Sequence, residues 1–207
     1  MKVLLINGST RKNGCTYTAL SEVAAVLNKE GVETEIIQTG GAPIRDCAGC
    51  GGCAETGKCV FKGDLVNEVI EKAKTADGFV FGAPVYYAHP SAQVQALLDR
   101  AFYAGGAQFA HKPGAVVTSA RRAGTSASLD TLGKYFGITQ MLVVSSTYWN
   151  MVHGKTPEEV RQDEEGMQTM RNLGRNMAWI LKCIEAGKKN GISHPEPEKN
   201  HWTNFIR

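Results

Sequence analysis

Short apolar runs recur along the chain and are separated by longer stretches with helical periodicity. Four of the five runs are almost continuously apolar, which is typical of strands buried on both faces of a sheet. The pattern predicts five short strands, at residues 2–6, 33–37, 79–81, 115–117 and 141–144.

The stretches between these strands repeat their apolar residues every three or four positions, as the buried face of a helix does. The repeating positions are Leu20, Val23, Ala24 and Leu27; Leu65, Val66, Val69, Ile70 and Ala73; Val94, Leu97, Leu98 and Ala101; and Leu129, Leu132 and Phe136. Alternating strands and helices with short connections favour right-handed crossovers. We therefore predict an α/β fold, a three-layer sandwich whose parallel sheet is covered by helices on both sides.

A fifth helix is predicted to begin near Thr156. Thr156 and Glu159 can form a capping box, and Pro157 suits the first helical position. The apolar stripe that follows includes three methionines, interpreted as core packing, and it ends near Gly187. Residues 1–187 are expected to form one domain, and residues 188–207 an irregular tail.

Composition narrows the class of protein. Hydrophobic residues make up 43% and charged residues 21% of the 207 residues, which disfavours disorder and coiled coils. The net charge is only +3 and basic residues cluster no further than pairs, so nucleic acid is disfavoured as a partner. With no apolar stretch near the ~20 residues of a membrane span, and no secretory signal pattern, the expected location is cytoplasmic and away from membranes.

The loop between the first strand and the first helix, residues 8–16, has the character of an anion site. Its glycines and small hydroxylated residues expose backbone N–H groups at a helix N-terminus. Ser9 and Thr16 add hydroxyl donors and Arg11 adds a positive charge, which suits a phosphate monoester. The loop matches neither the dinucleotide fingerprint nor the Walker loop. An ordinary helix cap at Thr16 remains the alternative.

Two further loops follow buried strands and are expected at the same rim of the sheet. In residues 83–90, Pro84 and Pro90 stiffen a loop that carries Tyr86 and Tyr87, which offer flat apolar surface to a planar ring. Residues 119–125 supply small residues opposite. Each loop alone could be a simple connection, but together with the anion site they predict a mononucleotide with a flat head group.

Four of the six cysteines are concentrated in one long loop, residues 40–63. Cys47, Cys50, Cys53 and Cys59 have the spacing C-x2-C-x2-C-x5-C, with mostly small spacers. In a reducing compartment such a group indicates metal or redox chemistry rather than disulfides. A 4Fe-4S cluster, a structural zinc ion or an empty reduced loop are all compatible with the spacing. A fifth cysteine, Cys183, is expected to be a buried structural thiol on the last helix.

These motifs together resemble the flavodoxin-like NADPH-dependent FMN reductases and, within them, the iron–sulfur flavoproteins. The motifs that carry the resemblance span most of residues 1–155. They are Gly8 to Thr16, Gly82-Ala83-Pro84-Val85-Tyr86-Tyr87, Ser91-Ala92-Gln93, Leu98-Asp99-Arg100, Ser119 to Thr125 and Tyr148 to Gly154.

The resemblance implies a five-stranded parallel sheet in the order 2-1-3-4-5 and FMN as cofactor, and it favours a 4Fe-4S cluster over zinc or an empty loop at the four cysteines. It also implies a role for each matching residue. The phosphate would be held by Ser9, Arg11, Cys15 and Thr16, and the flavin ring would be bordered by Pro84, Val85, Tyr86, Tyr87, Ser119, Arg121 and Gly124. Many relatives have Asn where this chain has Cys15, a change that is harmless only if the position acts through its backbone.

The leading functional hypothesis is an oxidoreductase in which FMN takes electrons from NAD(P)H and passes them to an acceptor. The alternative is an electron carrier whose cluster receives single electrons from a ferredoxin-like protein, and a third is a flavin-binding regulatory protein without turnover. No acid or base is assigned; His89 and His153 are the nearest titratable candidates. A homodimer or homotetramer is expected, with Trp202, Phe205 and Ile206 of the tail lying across a neighbour.

Overall fold

The computed structural model describes residues 1–201 and 203 of the chain. The strands are β1 (Lys2–Asn7), β2 (Glu33–Gln38), β3 (Gly78–Tyr86), β4 (His89–Pro90), β5 (Pro113–Ala120), β6 (Leu142–Val143) and β7 (Met151–His153). The α-helices are α1 (Cys15–Lys29), α2 (Val66–Thr75), α3 (Ala92–Gly105), α4 (Thr125–Ile138), α5 (Pro157–Gln162) and α6 (Glu164–Lys189). A 3₁₀ turn, Gly106–Gln108, follows α3.

The main sheet has the order β2-β1-β3-β5-β6, and every pairing along it is parallel. Counting only the five strands that the sequence predicts, this is the order 2-1-3-4-5. The structure adds β4, a two-residue strand antiparallel to the end of β3.

The fifth predicted strand is split. β6 pairs with Pro113 and Gly114 at the start of β5, whereas β7 pairs with Thr118 to Ala120 at its end. Val144 and Asn150 still bond to the backbone of β5, and residues 145–149 leave the ladder between the two pieces. Apolar periodicity found only the first piece, because Met151–His153 is too short and mixed to stand out.

The sheet separates two hydrophobic cores, as a three-layer sandwich requires. On one side α2, α3 and α4 cover Leu4, Ile6, Phe79 and Phe81. On the other side α1, α5 and α6 cover the strand residues that point the opposite way, and the buried methionines of α6 belong to this second core. The predicted fold class is confirmed.

The predicted fifth helix is two helices. Thr156 caps α5 by accepting a hydrogen bond from the Glu159 backbone N–H at 3.3 Å, as expected, but the Glu159 carboxylate accepts from the Lys155 N–H at 2.6 Å, so only half of the predicted capping box forms. The chain then breaks at Asp163, whose carboxylate accepts from the backbone N–H groups of Gly166 at 2.9 Å and His153 at 2.6 Å. The break was not predicted because the apolar stripe continues across it.

The end of the chain differs in detail from the expectation. Helix α6 continues to Lys189, two residues beyond the predicted end, and Cys183 is exposed on it rather than buried. The tail residues Trp202, Phe205 and Ile206 lie outside the described residues. Among the helices described, none is both long and apolar enough to cross a membrane.

Replacing Asp163 with Ala should lower the free energy of unfolding by about 2 kcal/mol, because two backbone donors lose a charged acceptor. Chemical denaturation measures the change. Glu164→Ala, at the exposed neighbouring position in the first turn of α6, is the matched control and should cost only a few tenths of a kcal/mol. Equal effects of the two substitutions would contradict the capping role of Asp163.

Candidate functional site

The carboxyl ends of β1, β3, β5 and β7 meet at one edge of the sheet, and the sequence-predicted residues gather there. The backbone N–H of Gly8 donates to the Gly82 carbonyl at 2.8 Å, which joins the first loop to β3. Pro84 of β3 is in register with Ser119 of β5. The three loops that the sequence singles out therefore form one continuous rim.

Ser9 and Arg11 are brought together within the first loop. Ser9 is buried, and its hydroxyl oxygen accepts the Arg11 backbone N–H at 3.1 Å. The side chain of Arg11 is exposed beside the loop. Its cation can therefore reach an anion at the mouth of the loop without breaking an internal contact.

The N-terminus of α1 is open. Its N-cap residue is Gly14, in extended conformation, and no side chain caps the helix. No acidic residue lies in the first turn. The N–H groups at this end, together with the positive end of the helix dipole, are thus available to an external anion.

Thr16 and Cys15, the first residues of α1, make different contacts. The hydroxyl groups of Thr16 and Ser119 lie 2.8 Å apart, which links α1 to β5. The Cys15 thiol points away to the Gly154 carbonyl, 3.7 Å from its Sγ, and burial raises the pKa of this thiol. Because its side chain contacts Gly154, Cys15 can bind an anion only through its backbone. This favours the interpretation that Cys in place of Asn at this position does not weaken phosphate binding.

The two tyrosines sit on a tight hairpin between β3 and β4. Val85 pairs with Pro90 and Tyr86 with His89, so Tyr87 and Ala88 form the two-residue turn. Both turn residues have positive φ, 50° and 62°, as this type of turn requires. The ring of Tyr87 is fully exposed and that of Tyr86 is about half exposed, so both are available to a ligand.

Gly124 locks this hairpin against the start of α4. It has a φ of 93°, and a Cβ at this position would lie 2.5 Å from Ala88 Cα and 2.7 Å from Val85 Cγ1. Only glycine permits both the backbone conformation and the close approach. The role of Gly124 is therefore to let the hairpin pack closely against the start of α4.

The remaining candidates on the rim are less constrained. Arg121 is exposed after β5. His153 has its Nε2 3.1 Å from the Arg122 carbonyl, and its Nδ1 lies 3.8 Å from Asp163 Oδ2. His89 is exposed on β4. These positions give neither histidine a clear proton-transfer role.

Polar residues beneath the first loop were missed by sequence reasoning. Asn7 is fully buried at the end of β1; its Oδ1 accepts the Ser9 N–H at 3.2 Å and its Nδ2 donates to the Lys12 carbonyl at 3.2 Å. Ser91, just before α3, donates to the Gly8 carbonyl at 2.7 Å. The sequence did contain a signal, because Asn7 ends a buried strand. A side-chain amide at that position can be satisfied only by hydrogen bonds to an ordered loop.

The four clustered cysteines line one pocket on the α3 side of the sheet, called here the cysteine pocket. Cys47 and Cys50 are exposed, whereas Cys53 and Cys59 are partly buried. All four are free thiols. Apolar and small residues complete the lining, together with the buried Arg100.

The cysteine pocket presents four thiols, which is the number and type of donor that a 4Fe-4S cluster requires. Within the described part of the chain, however, no group of three or more His, Cys, Asp or Glu side chains is arranged to hold one metal ion. A zinc site would require all of its thiolates to lie about 2.3 Å from a single ion. In a 4Fe-4S cluster each thiolate binds a different iron, so the sulfurs remain further apart.

Sequence reasoning also missed Arg100 as a residue of the cysteine pocket. It lies on the apolar stripe of α3 with Leu97 and Ala101, and only 1% of its surface is exposed. A charged side chain on the buried face of a helix needs polar partners, so Arg100 itself indicated that polar groups pack against this face of α3.

Comparison with known proteins gives one family and several relatives. The profile of the NADPH-dependent FMN reductases matches residues 1–156. An iron-sulfur flavoprotein of Methanocaldococcus jannaschii is 35% identical over 193 residues, covering 89% of this chain and 100% of the relative. An iron-sulfur flavoprotein of Methanosarcina thermophila is 28% identical over 192 residues, covering 91% and 99%.

Solved structures show the same fold. A WrbA-like flavodoxin of Agrobacterium tumefaciens superimposes with a TM-score of 0.62 at 18% identity, covering 88% of this chain and 97% of that one. The similarity confirms a flavodoxin-like architecture for the three-layer sandwich.

Replacing Gly124 with Ala should lower the free energy of unfolding by about 2 kcal/mol or more, because the left-handed backbone is strained and the new Cβ collides with the hairpin backbone. Gly133→Ala is the matched control within α4, where a Cβ meets nothing within 4 Å. That control should stabilise the protein by about 0.5–1 kcal/mol. Thermal and denaturant unfolding compare the two, and a neutral Gly124→Ala would contradict the locking contact.

Proposed function

The chain belongs to the NADPH-dependent FMN reductase family, and from this premise we propose that it takes electrons from NADPH or NADH through bound FMN and passes them to an acceptor. Membership of the family makes it a flavin oxidoreductase. The electron donor, the acceptor and the residues that bind FMN are what we propose beyond this.

The open N-terminus of α1 is the observation that carries the proposal. A helix end without a capping side chain or a nearby carboxylate leaves backbone donors for an external anion, and a terminal phosphate is the anion of FMN. We assign the phosphate to the backbone of Cys15 and Thr16, the hydroxyl of Ser9 and the cation of Arg11. The hydroxyl of Thr16 can contribute while it remains paired with Ser119.

The flavin ring is assigned to the space bordered by the hairpin and by the loop after β5. Pro84 is buried and Val85 is partly buried at the base, while Tyr86 and Tyr87 present exposed rings above. Ser119, Arg121 and Gly124 border the opposite side. A stiff hairpin held by Gly124 would keep these walls in a fixed relation to the phosphate end.

Bound FMN supplies the redox chemistry, since a flavin accepts a hydride and releases electrons singly or in pairs. The residues of this chain would bind and orient the cofactor and leave one ring face open to the nicotinamide. The exposure of Tyr86 and Tyr87 supports such access from solvent. No side chain of the rim is required as an acid or base, because hydride transfer needs no proton donor.

A second function is favoured by the cysteine pocket. Cys47, Cys50, Cys53 and Cys59 would hold a 4Fe-4S cluster, and the relatives named iron-sulfur flavoproteins match this chain over nearly their whole length. With a cluster, the protein could act as an electron carrier that receives single electrons from a ferredoxin-like donor. The two functions differ in the donor and share the FMN site.

The phosphate assignment predicts that Gly14→Asp weakens FMN binding by at least about tenfold without destabilising the protein. A carboxylate at the N-cap would occupy the free N–H groups and repel the phosphate, while adding up to about 1 kcal/mol to helix stability. The backbone of Gly14 has a negative φ that Asp can adopt. Titration of the apoprotein with FMN measures the affinity.

Gly14→Ala is the control, because it adds a Cβ without an acceptor or a charge. The Cβ would lie 3.0 Å from Arg11 Cβ in either variant, so steric effects are matched. If the Asp variant bound FMN as tightly as the Ala variant, the phosphate would not lie at this helix end.

The two functions are separated by anaerobic stopped-flow reduction of the flavin-loaded protein. The first predicts bleaching of the flavin absorption by NADPH or NADH at catalytic rates. Reduction only by a reduced ferredoxin would support the electron carrier. If no donor reduced the bound flavin, both would be wrong and a regulatory flavin-binding protein would remain.

A further inference from the structure

The buried Arg100 makes direct contact with one cysteine of the pocket. Its Nε lies 3.3 Å and its Nη2 3.2 Å from Cys59 Sγ, so two N–H donors of one guanidinium point at the same sulfur. Such a fork is a geometry that arginine provides and lysine does not. Cys47, Cys50 and Cys53 make no contact of this kind among the described residues.

The other donors of Arg100 fix the guanidinium in place. Nη1 donates to the carboxylate of Asp64 and, at 3.2 Å, to the Arg45 carbonyl. Nη2 also lies 3.4 Å from the Phe61 carbonyl. Burial alone would lower the pKa of Arg100, but the hydrogen bonds to Asp64 and Cys59 raise it overall, so the group remains charged.

The backbone of Cys59 is held independently by α2. Its N–H donates to Asn67 Oδ1 and its carbonyl accepts from Asn67 Nδ2, both at 2.9 Å. The sulfur and both backbone polar groups of Cys59 are therefore fixed. By contrast, Cys47 and Cys50 are exposed and separated by Gly49, which has a positive φ.

We propose that Arg100 is a positioning residue for the cysteine pocket, which anchors Cys59 as the fixed ligand and favours the reduced state of a cluster held there. This role rests on the proposed cluster. Hydrogen bonds to the ligating sulfur and a nearby positive charge both stabilise the extra electron that reduction adds, and so raise the reduction potential. Since the Arg100 fork acts on Cys59 alone, the effect would come from one ligand of the four.

The decisive comparison is between Asp64→Asn and the double variant Asp64→Asn, Arg100→Gln. The single variant removes the buried carboxylate and keeps the fork on Cys59. The double variant removes the fork as well, but leaves no unpaired charge in the interior, since Gln and Asn can hydrogen-bond to each other. The full chain is purified anaerobically, and iron, sulfide and FMN contents are measured before a potentiometric titration followed by electron paramagnetic resonance.

The double variant should be reduced less readily than Asp64→Asn by at least a factor of ten at a given potential, which is 59 mV for a one-electron couple. Loss of iron with FMN retained, in the double variant only, would also support the anchoring of Cys59. Equal potentials and equal iron contents in the two variants would overturn the role of Arg100 and leave the cluster intact. A wild-type protein without iron or sulfide would overturn both.

Arg100→Lys guards against failure of the double variant to fold. Lysine keeps the positive charge beside Asp64 but cannot supply two donors to one sulfur. If the double variant loses FMN as well as iron, this variant decides: a lower potential than the wild type supports the fork, and an unchanged potential overturns it.

Discussion

The proposed binding site depends on the N-terminus of α1, which no side chain caps. The N-cap of α1 is Gly14, at a position where most helices place a capping side chain, and the first turn contains no carboxylate. Backbone donors without a partner are costly unless water or a ligand satisfies them. The surrounding loop is held instead by Asn7, Ser91 and Gln38, whose side chains bond to the loop backbone and leave the helix end free. These bonds order the loop without using the N–H groups at the N-terminus of α1.

The parallel sheet explains why other chemistry collects around this end. Every crossover returns the chain to the same edge, so the loops after β1, β3 and β5 must be neighbours. Direct contacts then fix their spacing: Thr16 with Ser119, and Gly124 with Ala88. These contacts make the rim a single rigid surface, which is what a cofactor needs for a fixed orientation.

Helix α3 connects this rim to the cysteine pocket. Ser91 at its N-terminus bonds the Gly8 carbonyl of the first loop, and Arg100 nine residues later bonds Cys59. Nine residues of helix rise by about 14 Å. The two sites therefore share one rigid element, which keeps the distance between the Gly8 and Cys59 contacts constant.

Apolar periodicity predicted four of the strands and the first four helices because their positions are set by burial, which is visible in sequence. The split of the fifth strand and the helix break at Asp163 were not predictable in the same way. Both depend on hydrogen bonds between separate segments, such as the one from the His153 N–H to Asp163, and the pattern of apolar residues carries no information about such bonds.

The burial of Arg100 was likewise not predictable from the apolar pattern. A buried ion pair is a poor source of stability compared with apolar packing, so Arg100 and Asp64 are not explained by stability alone. Their burial becomes intelligible once the guanidinium is seen to contact a cysteine sulfur, a contact that no pattern in α3 alone could indicate.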